Sequence, residues 1–330
     1  MNWKNARVLV TGAGGFIGSH LTEELVRQGA RVRALVHYNS RSHWGLLEKV
    51  DAAVLRRIEV VPGDISDPQC VSRLAEGREI VFHLAALIGI PYSYHAPASY
   101  VATNVTGTLN ILEACRAARV RRLVITSTSE VYGTARYTPI DEQHPLQAQS
   151  PYSASKIAAD KLAESYFCSF DLPVVTLRPF NTFGPRQSAR AVIPTVLTQA
   201  LSGAGEIELG NLTAKRDLTY VTDTARAFLL AAETKGIEGE VIHFGQGSAV
   251  SVGDLAAKCL CAAESKARIA SVKKRVRPER SEVGLLLCDP SKARKLLGWE
   301  PEVTLDEGLK CTAEYLRQHL GEYRPKEYSV

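Results

Sequence analysis

The sequence has no apolar run long enough to cross a lipid bilayer, and its first residues lead into a predicted strand without the apolar segment of a secretory signal. We therefore expect a cytoplasmic protein without a membrane partner. The formal net charge is only +5, and no long lysine and arginine run with interleaved aromatic residues occurs. This balance argues against nucleic acid as a partner and favours local positive charge for the phosphates of a small ligand.

Cysteine and histidine also lack the spacing of a metal site. The seven cysteines are scattered without CxxC pairs, and the eight histidines show no metal-ligand spacing. We therefore predict that no metal is bound. The cysteines are expected to be reduced, mostly buried thiols of the kind found in cytosolic proteins.

What the sequence does have is a regular alternation of apolar strands and helical segments in its first half. At 330 residues and 45% hydrophobic composition, the chain can bury a large core. Apolar strands that alternate with helices predict an α/β fold, a Rossmann-type doubly wound parallel sheet. The predicted strands cover 7–11, 31–36, 58–62, 80–85, 123–126 and 174–177, and the longest predicted helices cover 16–28, 99–118 and 152–170.

After residue 180 the alternation loosens, and glycine and proline cluster. We assign residues 1–180 to a dinucleotide-binding Rossmann domain, and we predict that a segment near 217–245 returns to its sheet as one more helix and strand. Residues 181–216 and 246–330 then form a smaller, discontinuous C-terminal lobe that binds the substrate.

A glycine-rich turn between the first strand and the first helix predicts the dinucleotide site. Gly12, Gly15 and Gly18 are spaced as G-x-x-G-x-x-G, and Phe16 and Ile17 open the helix. The first glycine permits the tight turn, the second lets the backbone approach a pyrophosphate, and the third allows helix and strand to pack closely. The helix N-terminus attracts the phosphates.

The residue that ends the second strand distinguishes NAD from NADP, because an acidic side chain there binds the ribose 2′-hydroxyl of NAD. Here it is His37, and the loop that follows contains Asn39, Ser40 and Arg41 but no carboxylate. Arg41 is able to pair with the 2′-phosphate of NADP. The sequence therefore leaves both cofactors open.

Further cofactor contacts are predicted after the third and fourth strands. Asp64 and Ile65 are placed to face the adenine, although a loop-capping role is the alternative for Asp64. Leu84, Ala85 and Ala86 follow the fourth strand, where the backbone must approach the cofactor closely.

Tyr152 and Lys156 lie one helical turn apart and therefore share a helix face. We expect the Lys156 ammonium, together with a positive nicotinamide, to stabilise the phenolate and to lower the tyrosine pKa from about 10. Tyr152 then acts as a base near neutral pH, while Lys156 also binds the nicotinamide ribose. Ser127 or Thr128, after the fifth strand, strengthens this interpretation.

Together these motifs resemble the extended short-chain dehydrogenase/reductase family, the nucleotide-sugar epimerases and dehydratases. The resemblance covers almost the whole chain and rests on residues 11–18, 64, 83–86, 104–108, 127–133, 152, 156, 178–186, 216–223 and 277–278. It implies NAD or NADP, tightly bound and regenerated in each cycle, with Asn104 and Thr126 among the contacts. It also implies a homodimer in which helices 99–118 and 152–170 pair into a four-helix bundle.

Residues 91–94 (PYSY) and 186–194 (RQSARAVIP) are most similar to bacterial 4,6-dehydratases of nucleotide-linked N-acetylglucosamine, as used in legionaminic acid and N-acetylquinovosamine pathways. That resemblance implies transient oxidation at C4 of UDP- or GDP-N-acetylglucosamine, loss of water across C5 and C6, and return of the hydride to C6. Tyr152 would take the C4 hydroxyl proton, Thr128 would bond the C4 oxygen, and Glu130 would deprotonate C5.

The central run departs from the related dTDP-glucose dehydratases, which have Thr-Asp-Glu where this chain has Thr128, Ser129 and Glu130. The aspartate proposed as acid for the leaving water is missing, so either Glu130 performs both steps or another group is the acid. The same Thr-Ser-Glu occurs in UDP-glucuronate decarboxylases. A C4 epimerase and a UDP-glucuronate decarboxylase therefore stay open, as does a non-catalytic dinucleotide-binding sensor or scaffold on the same fold.

Substrate phosphates require cations or polar donors in the second lobe. Asn181, Arg216 and Arg277 match positions that hold the diphosphate in the enzymes that the chain resembles, and Arg186 is a further candidate. The predicted substrate contacts are Ser129, Asn181, Arg186, Val192, Arg216 and Arg277.

Overall fold

The computed structural model describes residues 3–272, 275–276 and 278–325. Strands and helices alternate through its first half. The strands are β1 (Arg7–Thr11), β2 (Arg31–His37), β3 (Glu59–Gly63), β4 (Ile80–His83), β5 (Arg122–Thr126), β6 (Val174–Pro179), β7 (Asn181–Phe183), β8 (Glu206–Leu209), β9 (Lys215–Tyr220), β10 (Val241–Phe244), β11 (Ala249–Ser251), β12 (Arg268–Ser271) and β13 (Leu285–Leu286). The helices are α1 (Phe16–Arg27), α2 (Ala52–Leu55), α3 (Pro68–Ala75), α4 (Ile90–His95), α5 (Pro97–Tyr100), α6 (Gly107–Ala118), α7 (Pro151–Phe170), α8 (Val192–Leu201), α9 (Val221–Glu233), α10 (Val252–Ala262), α11 (Ser291–Leu297) and α12 (Leu305–His319).

The central sheet has seven parallel strands in the spatial order β3-β2-β1-β4-β5-β6-β10. Side chains of β1 alternate between two cores, because successive residues of a strand point to opposite faces. Val8 and Val10 pack in the same cluster as Phe228 of α9, whereas Leu9 packs with Ile111 of α6. The predicted Rossmann-type doubly wound sheet is therefore confirmed, and the carboxyl ends of all seven strands reach one edge.

The predicted helix over 99–118 differs from the structure. A π-helix at Val101–Thr106 joins α5 to α6, so the segment is not one regular α-helix. Hydrophobic spacing predicts a continuous helix there, because a single wide turn changes the periodicity only locally. The wide turn lies beside α7, where its Asn104 makes specific polar contacts.

The later elements form a second group. Residues 221–244 return to the central sheet as α9 and β10, whereas β9 pairs with β7, β11 and β13, and β8 pairs with β12. Helices α8, α10 and α12 surround a separate apolar core that includes Phe183, Leu197, Leu255 and Leu309. We refer to the elements around this separate core as the second lobe.

The cysteines are free, but they are not mostly buried as predicted. Cys115, Cys259 and Cys288 are buried, Cys70 is half-buried, and Cys168, Cys261 and Cys311 are exposed. The exposed three lie on the outer sides of α7, α10 and α12, where packing does not enclose them. Within the described ranges no helix is long and apolar enough to span a membrane.

Candidate active site

The glycine turn lies between β1 and α1 at the carboxyl edge of the sheet. Gly12 has φ +69°, and a Cβ there would lie 2.6 Å from the backbone nitrogen of Ala85. A Cβ on Gly18 would collide with the carbonyl oxygen of Gly12, whereas one on Gly15 would approach only that oxygen, at 3.1 Å, among the residues described. Packing therefore requires glycine at positions 12 and 18, and Gly15 leaves open space in front of α1.

Helix α1 begins at Phe16 with Gly15 as its N-cap, and no side chain caps it. The first N–H groups of a helix have no acceptor within the helix, so those of Phe16, Ile17 and Gly18 point out of its end. These donors and the positive end of the helix dipole suit a pyrophosphate. The residues present therefore fit the predicted dinucleotide.

A buried histidine fixes the loop that follows β4. The Thr11 Oγ1 atom lies 2.8 Å from Nδ1 of His83 and accepts from the backbone N–H groups of Leu84 and Ala85, each at 3.2 Å. Burial lowers the pKa of His83 to about 3 and keeps the ring neutral. The loop is thereby held against Gly12, with the predicted cofactor contacts in it half-buried.

Asn104, predicted as a cofactor contact, holds two other segments together. Its Oδ1 accepts from the backbone N–H of Leu87 at 2.8 Å, and its Nδ2 donates to the Leu87 carbonyl and to Ser155 Oγ, each at 2.9 Å. The Asn104 carbonyl accepts from Thr108 Oγ1, which lies 3.1 Å from Nε2 of His83. The π-turn therefore joins α7 to the loop after β4, and the Asn104 amide is fully used in doing so.

Two predicted adenosine contacts are also used elsewhere. The Ile65 side chain is buried against Gly107, and the Asn39 amide bonds to backbone groups of its own turn. Asp64 Oδ1 accepts from the N–H of Ser66 at 2.8 Å, which is the loop-capping role left open above. Neither Ile65 nor Asn39 presents a free side-chain group to a ligand.

Thr128, Glu130 and Tyr152 share one pocket at the carboxyl end of β5. Burial raises the pKa of the Tyr152 phenol well above its usual value, a hydrogen bond with Thr128 opposes this rise, and the nearby Glu130 carboxylate adds to it. Thr128 also accepts from the N–H of Glu130 at 3.2 Å and caps the short 3₁₀ helix Ser129–Tyr132. The ring of Tyr152 meets that of Tyr100 edge-on, with centroids 6.2 Å apart.

Lys156 lies one turn after Tyr152 on α7, but its ammonium has another partner. Its Nζ donates to the carbonyl oxygen of Thr126 at 2.6 Å. Burial lowers the pKa of Lys156, and the Asp160 carboxylate opposes this shift. Since burial raises the pKa of the phenol in the structure, the lowering of that pKa by Lys156 together with a positive nicotinamide stays a prediction.

Sequence reasoning missed a buried polar network behind the pocket. Ser127 Oγ donates to Asp160 Oδ2 at 2.7 Å, and Arg178 pairs with the same oxygen at 2.9 Å. Arg178 also donates to the Tyr132 hydroxyl, which donates to Nε2 of His243. Burial lowers the pKa of His243 well below its usual value, so the ring stays a neutral acceptor. The network anchors both ends of the run 127–132.

Two of the predicted phosphate ligands, Asn181 and Arg216, lie on paired strands of the second lobe. Asn181 of β7 pairs with Leu218 of β9, two residues after Arg216. The buried Arg216 donates to Glu282 at 3.3 Å, and Asn181 Oδ1 is buried without a hydrogen-bond partner among the described residues. Arg277 lies outside the described residues.

Arg186 is placed differently from the prediction. Its guanidinium forms a buried ion pair with Glu23 of α1, at 2.6 Å, and reaches Ser19 Oγ at 3.5 Å. Because these groups occupy the side chain, we do not propose Arg186 as a phosphate ligand. It connects the second lobe to the helix that begins at the glycine turn.

Ser129 is buried in the run 127–132, and Val192 begins α8.

Arg190 places a cation near Tyr100 and Gly89, and the sequence analysis did not propose a role for it. Its Nη1 lies 3.6 Å from the position of a Cβ on Gly89. Burial raises the pKa of Tyr100, and the Arg190 charge opposes that rise. Arg190 therefore lies next to Gly89 and to Tyr100, whose ring packs against Tyr152.

The seven-stranded parallel sheet, the glycine turn at the start of α1, and the tyrosine and lysine one turn apart on α7 are features of the extended short-chain dehydrogenases/reductases. Residues 9–312 match the family described as GDP-mannose 4,6 dehydratase. The chain belongs to this family of NAD(P)-dependent nucleotide-sugar dehydratases and epimerases.

Relatives in the family carry different activities. The chain is 34% identical to a UDP-glucose 4-epimerase of Mycolicibacterium smegmatis, over 94% of this chain and 98% of the relative. It is 32% identical to a dTDP-glucose 4,6-dehydratase of Streptomyces niveus, over 97% of this chain and 95% of the relative. The structure of DesIV, a dTDP-glucose 4,6-dehydratase of Streptomyces venezuelae with NAD and TYD bound, aligns with a TM-score of 0.85 at 30% identity, over 97% of this chain and 100% of DesIV.

Proposed function

We propose that the protein is a nucleotide-sugar 4,6-dehydratase that converts an NDP-N-acetylhexosamine, UDP- or GDP-N-acetylglucosamine, to the 4-keto-6-deoxy sugar. The observation that supports this most is the position of Glu130. Its carboxylate lies near the Tyr152 phenol and helps to raise the pKa of that phenol, which also forms a hydrogen bond with Thr128. A dehydratase needs a second acid–base group beside the tyrosine, because both the C4 hydroxyl and C5 lose a proton.

The chain's own residues divide the steps between them. Tyr152 takes the C4 hydroxyl proton while Thr128 holds the C4 oxygen, and Glu130 then removes the proton from C5, which the C4 ketone has acidified. The C6 hydroxyl leaves as water with a proton from Glu130, and a proton later returns to C5. A bound nicotinamide cofactor, held through its pyrophosphate by the glycine turn and the start of α1, would supply the hydride acceptor for C4 and the hydride donor for C6, and its positive ring would favour the Tyr152 phenolate. The cycle consumes no net reductant.

In this proposal, residues of the second lobe bind the diphosphate of the substrate. Arg216 is the cation, and exchange of its Glu282 partner for a phosphate oxygen would satisfy the same Nη2 donor. Asn181 brings a buried amide to the neighbouring strand, where its Nδ2 would be the donor to the diphosphate, since its unpaired Oδ1 only accepts. Arg277 keeps its proposed role as a further diphosphate ligand, and Ser129 keeps its proposed contact with the sugar.

Mass spectrometry of the products tests this proposal directly. The enzyme is incubated with UDP-N-acetylglucosamine, GDP-N-acetylglucosamine or UDP-glucuronate and either cofactor. We expect an acetylglucosamine nucleotide to lose the mass of one water without net formation of reduced cofactor. The Tyr152→Phe variant should bind cofactor and give no product. Full activity of that variant would overturn the assignment of the base.

A UDP-glucuronate decarboxylase is the second candidate, and Arg190 favours it. A decarboxylase requires a cation near the C6 carboxylate, and Arg190 places one beside Gly89 and Tyr100. The same product analysis separates the two candidates, since loss of carbon dioxide from UDP-glucuronate would replace loss of water. Unchanged mass with every nucleotide would leave a C4 epimerase, identified by isomer-resolving chromatography, or a non-catalytic binding protein.

We further propose a cytoplasmic homodimer that pairs through α6 and α7. Val101, in the π-helix before α6, and Phe170, at the end of α7, are large apolar side chains that remain 55% and 49% exposed in the single chain. Burial of such residues across a two-fold axis is a common basis of dimer formation. Sedimentation at micromolar concentration should give the dimer mass, and a monomer would refute the assembly.

A further inference from the structure

The end of β2 lacks the carboxylate that binds the 2′-hydroxyl of NAD. His37 occupies that position, with its side chain 79% exposed, and its Nδ1 lies 3.7 Å from Asp64 Oδ2 at the end of β3. The other Asp64 oxygen accepts from the N–H of Ser66. The Asp64 carboxylate therefore faces His37 and the N–H of Ser66, and it does not occupy the end of β2 where a carboxylate would bind the ribose of NAD.

Asn39 organises the turn that follows. Its Oδ1 accepts from the N–H groups of Arg41 and His43, each at 3.1 Å, and its Nδ2 donates to the His43 carbonyl at 2.8 Å. The backbone of Arg41 is therefore fixed. Its exposed side chain makes no hydrogen bond or ion pair with any residue that the structure describes.

This turn packs against the glycine-rich loop. The N–H of Leu46 donates to the Gly14 carbonyl at 2.8 Å, and a Cβ on Gly45 would collide with that carbonyl. The acidic neighbour of the turn, Glu48, pairs with His43 at 3.1 Å. The turn is thus held beside the start of α1, on the side of the cofactor cleft where β2 ends.

We propose that this turn binds the 2′-phosphate of NADP, with Arg41 as the principal cation and His37 and Ser40 as further donors, so that the protein selects NADP over NAD. A guanidinium directs two parallel donors at phosphate oxygens. Because β2 itself ends without a carboxylate, the additional phosphate meets the Arg41 cation and neighbouring donors, while the Asp64 carboxylate at the end of β3 faces His37 and the N–H of Ser66. The selection concerns the cofactor alone and does not depend on which sugar nucleotide is the substrate.

Equilibrium binding without sugar nucleotide tests the proposal. The nucleotide retained through purification is released by heat and identified, and protein freed of it is titrated calorimetrically with NADP, NAD, 2′,5′-ADP and 5′-AMP. The last two differ only in the 2′-phosphate. We expect each 2′-phosphorylated ligand to bind at least about tenfold more tightly than its partner, with an advantage that shrinks as salt is raised.

Variants locate the effect. Arg41→Ala should remove most of the advantage and leave 5′-AMP binding unchanged, whereas Arg31→Ala, at the other end of β2, should change neither. His37→Asp should shift the preference to NAD. Equal or tighter binding of NAD by the wild-type protein, or an unchanged Arg41→Ala variant, would overturn the proposal. Product analysis is independent of these titrations, so a failed cofactor preference and a failed dehydratase assignment are distinguishable.

Discussion

Replacement of Tyr132 by phenylalanine tests the network behind the catalytic run. The Tyr132 hydroxyl accepts from Arg178 and donates to Nε2 of His243, and all three side chains are buried. Removal of the hydroxyl leaves a buried guanidinium N–H and a buried imidazole nitrogen unpaired while the ring stays. An unpaired buried polar group costs about 1–3 kcal/mol, so we expect a loss of about 2–4 kcal/mol in the free energy of unfolding.

Urea unfolding at one protein concentration measures this loss, as a lower midpoint with an unchanged m value. Tyr137→Phe is the matched control, because the Tyr137 hydroxyl donates to Asp141 Oδ1 at 2.7 Å but the side chain is 43% exposed. Water replaces that partner, and the loss should stay below about 0.5 kcal/mol. Equal losses in the two variants would refute the reasoning that burial makes the Tyr132 bonds costly to remove.

Three further changes test the glycine turn, the buried histidine and the catalytic carboxylate. Gly12→Ala should abolish cofactor binding because its Cβ meets Ala85, whereas Gly77→Ala, with φ +68° and no atom within 4 Å of its Cβ, should retain binding; calorimetry distinguishes them. The pKa of His83 is about 3 in the folded protein and about 6.5 in the unfolded chain, so the free energy of unfolding should fall as pH drops below about 6.5, by up to about 1.4 kcal/mol per pH unit. In a His83→Gln variant the free energy of unfolding should fall less steeply with pH. Glu130→Gln should still oxidise C4, seen as absorbance of reduced cofactor, but should not exchange the C5 hydrogen with deuterated solvent; exchange at the normal rate would assign C5 to another base.

Most of the fold could be predicted because the strands of a parallel sheet covered on both faces must be apolar along their whole length. The segments predicted at 31–36 and 174–177 correspond to β2 and the first part of β6. Hydrophobic spacing does not predict the π-helix before α6, in which Asn104 bonds to a loop and to a helix that are remote in sequence. Periodicity reports which face of a helix is buried, not which polar groups meet there.

The same distinction separates the parts of the site that sequence predicts from those it does not. Gly12 is required by a positive φ, and Tyr152 and Lys156 lie one helical turn apart. Both features are local, so the sequence predicts them. Arg186 was interpreted by residue type alone, but its partner is Glu23, 163 residues away. Asp160 lies one helical turn after Lys156, on the helix face that Tyr152 and Lys156 share, and an acidic residue at that spacing is the signal that indicates the network.

The contact between Arg186 and Glu23 bears on how the site is assembled. A buried ion pair contributes little net stability, because the desolvation of both charges offsets their attraction, and apolar side chains of similar volume often do as well. Glu23 also pairs with Arg27, so the carboxylate would not be left alone without Arg186. A directional pair at 2.6 Å does, however, fix distance and orientation where an apolar contact would tolerate sliding. Since α1 begins at the glycine turn, the pair fixes the segment that carries Arg186 to the helix that starts at this turn.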